Sequence, residues 1–107
     1  MRFSKSVCKY LDSRTYNSLS YSTKKTYKYN LNRISNTKVY GTPMATKMLK
    51  RIDFDICNEL YDTWEFEDST SNANHLARVF SVLMNYYVDR EVILRNPMRR
   101  VKKRTSE

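Results

Sequence analysis

Beyond residue 69, apolar side chains recur at Ala73, Leu76, Ala77, Phe80, Leu83, Met84 and Tyr87, the spacing of one face of an α-helix. The pattern predicts a helix from about Thr70 to Val88, entered through the Ser69-Thr70-Ser71 cluster. Asn96-Pro97 then restarts the chain, because Asn caps and Pro fits the first helical position. Upstream, Val7, Tyr10 and Leu11 share a face in a short helix, and polar Arg14–Ser20 reads as a loop. A second helix is expected over Ser22–Ser35, capped by Ser22, with Tyr27, Leu31 and Ile34 as its stripe. Asn36–Thr42 is a connector. Thr42-Pro43 is expected to cap a short helix to about Lys50, with Met44, Met48 and Leu49 apolar. Asp53 caps the next helix, whose stripe is Ile56, Leu60, Tyr61 and Trp64. The sum is an all-α fold, a compact bundle of four to five helices. It divides into an N-terminal segment (1–20), a helical domain (21–95), and a capped short helix with a basic linker (96–107).

Composition sharpens this in three ways. A single Gly and two Pro argue against a turn-dense β fold. The chain has 107 residues, enough for one small domain with one core. Nine Tyr and four Phe are many for that length, and burial is the ordinary use of such rings. Cys8 and Cys57 lack metal-pair spacing, and with one His the expectation is free thiols and no metal. No apolar run approaches a membrane span or a signal-peptide core, so the expected location is the cytoplasm.

Charge gives the first functional lead. Lys and Arg number 20 against 11 Asp and Glu, a formal net charge of +9, which suggests an anionic partner. Lys24, Lys25 and Lys28 crowd the start of the second predicted helix. Cations there oppose the helix macrodipole by about 0.3–1 kcal/mol each, a penalty that a neighbouring phosphate would reverse. The acids concentrate elsewhere, with Asp53, Asp55, Glu59, Asp62, Glu65, Glu67 and Asp68 all between positions 53 and 68. A basic side near Lys24–Lys28 and an acidic side opposite follow from this segregation. On the Thr70–Val88 helix, Asn74, Arg78, Ser81 and Asn85 form the polar face. Asn and Arg are the side chains suited to bidentate contact with adenine and guanine edges. Asn74, His75 and Arg78 are therefore candidate DNA contacts, or else ordinary solvated surface.

The ordered motifs Ala73-Asn74, Met84-Asn85-Tyr86 and Asn96-Pro97-Met98-Arg99-Arg100-Val101, with Ser22 to Lys28 upstream, resemble the core-binding (SAM-like) domain of tyrosine recombinases, the phage-integrase family. The resemblance covers roughly Leu11 to Lys103. The chain departs from the pattern at Glu91, where the family usually has Gly, and at His75, where a basic residue is usual. The resemblance implies a DNA-binding domain that clamps the core sites of recombination. It implies a second, catalytic domain downstream, and a parent protein that is tetrameric on double-stranded DNA. The expected DNA-contacting residues are Lys24, Lys25, Lys28, Asn74, His75, Arg78, Arg99, Arg100, Lys102 and Lys103. The domain alone is expected to be a monomer without cofactor.

His75-Leu76-Ala77-Arg78 also spells the His-x-x-Arg of that family's catalytic box. The family's nucleophile is a Tyr well downstream of the box, and no Tyr follows Tyr87. Phosphoryl transfer needs several charges converging on one phosphate, which one helix face does not supply. No Gly-rich phosphate loop and no Ser/His/Asp constellation is present, so no catalysis is expected from these residues. Two other classes fit the same composition. One is a stand-alone helical module whose basic face binds an acidic protein. The other is a helix-turn-helix regulator, disfavoured because the two basic helices lie far apart in the chain.

Overall fold

The computed structural model describes residues 1–105 and is an all-α bundle. Five α-helices make it up: α1 (Phe3–Leu11), α2 (Arg14–Asn17), α3 (Tyr21–Asn36), α4 (Phe54–Glu67) and α5 (Thr70–Asp89). A minimal antiparallel hairpin of Lys38–Val39 and Thr42–Pro43 follows α3. The last two expected linker residues, 106–107, lie outside the described part. Among the described residues no helix is long and apolar enough to cross a membrane.

α5 is the platform on which the others pack. All seven of its predicted apolar positions are buried, and Val79 joins them. Its start is capped by Ser69, whose hydroxyl accepts from the Asn72 N–H at 3.1 Å. Its end is a Schellman motif: Glu91 N–H donates to Val88 C=O at 3.0 Å and Val92 N–H to Tyr87 C=O at 3.0 Å. The motif needs a left-handed residue, normally Gly, and Glu91 takes that role with φ 60°.

The N-terminal segment belongs to the same core. Phe3 is fully buried and stacks on Phe80 with centroids 5.9 Å apart. Tyr87 donates its hydroxyl proton to Ser6 C=O at 2.5 Å. Tyr10 packs edge-on against both Tyr16 and Tyr86. Burial pushes the phenols of Tyr10 and Tyr87 up to about 12. α4 turns Cys57, Leu60, Tyr61 and Trp64 inward, and Trp64 Nε1–H donates to Thr37 Oγ1 at 3.1 Å. Cys57 sits in that apolar layer, which raises its thiol to about 12. Both cysteines are free thiols.

Four local expectations are corrected. Arg14–Ser20 is not all loop: Ser13 caps one helical turn and Tyr16 drops into the core. The cap of α3 is Ser20 rather than Ser22. The connector holds a two-residue turn, with Tyr40 (φ 53°) and Gly41 (φ 84°) both left-handed, as such hairpins require. The helix expected from Pro43 to Lys50 is instead two 3₁₀ turns, Met44–Thr46 and Leu49–Arg51. Between them the chain is extended, because it pairs with the N-terminus: Phe3 N–H donates to Lys47 C=O and Leu49 N–H to Met1 C=O, each at 2.8 Å. Those long-range bonds override the local helical pattern.

The Asn96-Pro97 restart is a 3₁₀ turn, Pro97–Arg100, capped by Asn96 Oδ1 accepting from Met98 N–H at 3.0 Å. Met98 and Val101 are buried and carry the turn into the core beneath α4 and α5.

Candidate nucleic-acid interface

α3 contains four cations and no acid. Leu31 and Ile34 point inward, so helical geometry sends Tyr21, Lys25, Lys28, Tyr29 and Asn32 outward together. All five are exposed. Tyr21 is 78% and Tyr29 69% exposed, a level that rules out burial as the reason for these two rings. Lysines alternating with exposed rings make a face suited to a sugar–phosphate backbone. At its far end lies a polar hollow of about 530 Å³ where Tyr29, Asn32, Arg33 and Lys38 meet the acidic Glu67 of α4.

The three lysines differ. Lys24 is half-buried, with its ammonium 5.9 Å from the centroid of the Tyr16 ring, and its carbonyl accepts from Tyr16 Oη–H at 2.6 Å. Lys25 and Lys28 are exposed, and neither has a carboxylate partner among the described residues.

α5 meets α3 side by side. Asn30 Nδ2 donates to Thr26 C=O at 2.9 Å and lies 3.0 Å from His75 Nε2. Since the amide nitrogen is a donor, the ring nitrogen acts as acceptor. Arg33 near the end of α3 pairs with Asp68 just before α5, at 2.9 Å, so the helices run antiparallel. Arg78, exposed and three residues beyond His75, is therefore level along the axis with the half of α3 that carries Lys25.

Several expected contact residues are engaged inside the molecule. Asn74 Oδ1 accepts from Tyr61 Oη–H at 2.6 Å, and Asn74 Nδ2 donates to Arg104 C=O at 2.8 Å. Arg104 N–H in turn donates to Tyr61 Oη at 2.9 Å, closing a three-residue ring of bonds. His75 joins α5 to α3. Lys103 Nζ donates to the carbonyls of Met98 and Val101, both at 3.3 Å. Arg99, Arg100 and Lys102 are exposed, with Arg100 lying over the Phe54 ring at 5.5 Å.

The basic stretch touches α4 before the described residues end. Arg104 folds onto the acidic helix, pairing with Glu65 and lying 3.7 Å from Asp62. Lys25 and Lys28 thus stand on the outer face of α3, Arg78 on α5 lies in angle between His75, which faces α3, and Asn74, which faces α4, and Arg104 sits on α4. Sequence reasoning missed Tyr21 and Tyr29. Their signal was available, since both fall outside the Tyr27, Leu31, Ile34 stripe.

No family model, curated protein or solved structure matches the chain.

Proposed function

We propose that this chain is a duplex-DNA-binding domain, of the kind that clamps core sites in phage-type integrases. The observation that carries the reading is the outer face of α3: Lys25 and Lys28 between exposed Tyr21 and Tyr29, with no acid on the helix. Point charges on flexible stems suit phosphates, and they fix position rather than sequence. Arg78, beside that face, is the side chain suited to a guanine edge. His75 and Asn74 hold the two helices and the chain end in place and are not assigned base contacts. Lys24 stiffens the α3 face through Tyr16, and Arg99, Arg100 and Lys102 form a second basic region beside α4.

The left-handed Glu91 supports the family reading. It occupies the position where the family carries Gly, and its backbone adopts the conformation that Gly takes most easily. Under this reading a downstream catalytic domain performs strand exchange, the parent protein is tetrameric on DNA, and this domain alone is a monomer. Its work is then cytoplasmic, in a bacterium or a phage-infected cell.

The test is a salt titration of binding to a labelled duplex. Log affinity should fall linearly with log salt, each neutralised phosphate adding about 0.9 to the slope. Arg78→Ala should weaken binding to a duplex enriched by selection more than to random duplex. Affinity that is insensitive to salt sinks the proposal in favour of a protein-binding module.

A further inference from the structure

The loop after α5 and the start of α4 enclose an open groove of about 690 Å³ whose lining includes no residue of α3. That volume is in the range of ligand and peptide pockets. Leu49, Ile52 and Pro97 are buried beneath it, and Phe54 and Leu94 stand at its sides. Leu94 is 93% exposed. A leucine left in water forgoes the stability that its burial would supply. Three residues earlier, Glu91 holds a left-handed backbone, a strained conformation for a non-glycine. The loop therefore carries two local costs, and the strained residue sets the course of the segment that presents Leu94.

The rim is cationic. Lys50, Arg95 and Arg100 border the groove, and none forms an ion pair among the described residues. Of the two acids there, Asp53 is occupied as the cap of α4, accepting from Ile56 N–H at 3.0 Å. A DNA backbone would meet the cations but would offer nothing to fill the apolar space between Phe54 and Leu94. An occupant that satisfies both must combine apolar side chains with carboxylates.

We propose that this groove is a docking site for an acidic amphipathic helix of a protein partner, which seats its apolar face between Phe54 and Leu94 and its carboxylates against Lys50, Arg95 and Arg100. Helix-in-groove recognition of this kind draws affinity from a few apolar anchors and specificity from the charged rim. The site is separate from the α3 face, so the inference does not rest on the DNA reading.

The test titrates the isotope-labelled chain with a synthetic helical peptide of Leu, Ala and Glu carrying one apolar face, followed by amide chemical shifts. Saturable shifts should centre on Phe54, Val92, Ile93, Leu94 and Arg95. Leu94→Asp should weaken the peptide by about tenfold or more, the loss expected of one anchor; its exposure leaves the fold intact. Arg95→Glu, or Gln in place of every Glu in the peptide, should weaken it as well. A duplex added in excess should leave the peptide bound. The proposal is overturned by shifts that do not saturate, by shifts centred on Tyr21–Asn32, or by displacement of the peptide by DNA. A groove already filled by a second copy of the chain, seen as a dimer in sedimentation that Leu94→Asp dissolves, overturns it too.

Discussion

Two helices of this chain carry charge of the wrong sign at one end, and the protein treats them oppositely. α4 ends in Glu65 and Glu67, followed by Asp68, where the macrodipole favours cations. Arg33 reaches across to Asp68 and Arg104 folds back to Glu65 and Asp62. α3 begins with Lys24 and Lys25, followed by Lys28, where the macrodipole favours anions. Tyr16 shelters Lys24, but nothing acidic among the described residues answers Lys25 or Lys28. At the end of α4 all but Glu67 of these acids are compensated from within, while Lys25 and Lys28 are left for something outside. A charged helix is thus informative about partners only after its internal pairs have been counted.

The sharpest way to break this comparison is to remove the platform that both helices lean on. Phe80→Ala should cost about 3–5 kcal/mol, because the ring is fully buried against Phe3 and the site cannot refill. Thermal unfolding reports it, and an unchanged midpoint would show that α5 is not the shared support.

Reversing the unanswered charges comes next. Lys25→Glu with Lys28→Glu should weaken duplex binding by roughly tenfold or more at low salt and lower the salt slope by about two contacts. Glu59→Gln with Asp62→Asn on α4 should change binding little. Equal effects from the two pairs would mean that only net charge matters, and the contrast between the faces would fail.

A smaller effect tests the compensation of α4. Tyr61→Phe removes the hydroxyl that joins Asn74 to the Arg104 N–H and should cost about 1 kcal/mol. Amide exchange at Arg104 should accelerate while that of α5 stays slow.

The smallest effect concerns pH. Hydrogen bonds from Arg33 and Asn72 hold the Asp68 carboxyl below its usual value of 3.8. A lowered folded-state value adds stability that is present above the usual value and lost as the pH falls through the lowered one. Wild type should therefore lose more stability than Asp68→Asn on acidification through that window. Both side chains are partly exposed, so added salt should shrink the difference. A pH profile identical for the two proteins would remove Arg33 from the compensation.

How much of this was legible depends on the range of the interactions. α5 was readable almost residue by residue, since a long amphipathic pattern with a Ser cap is determined locally. The Asp53 and Asn96 caps were readable for the same reason. The 44–51 region was not, because its backbone pairs with residues 1–3, and no local pattern announces a partner some 45 residues away. The roles of Asn74 and Arg104 were hidden likewise. An Asn on a polar helix face looks the same whether it meets a base or a folded-back chain end, and only the Tyr61 hydroxyl opposite it decides. Tyr40 escaped notice because a left-handed tyrosine lacks the Asn-Gly or Asp-Gly signature of its turn.

The bond from Tyr87 to Ser6 spans 81 residues, and it has a consequence for how the protein is made. α1 leaves the ribosome well before α5, yet its apolar face of Phe3, Val7 and Tyr10 has no complete seat until α5 is synthesised. At about 5–20 residues per second, that face waits on the order of 4–16 s. During that interval the nascent chain displays a short, sticky amphipathic helix, the kind of segment that chaperones hold. An element translated early in this domain is then among the last to dock, and closing so long a loop is the slow, entropically costly part of folding.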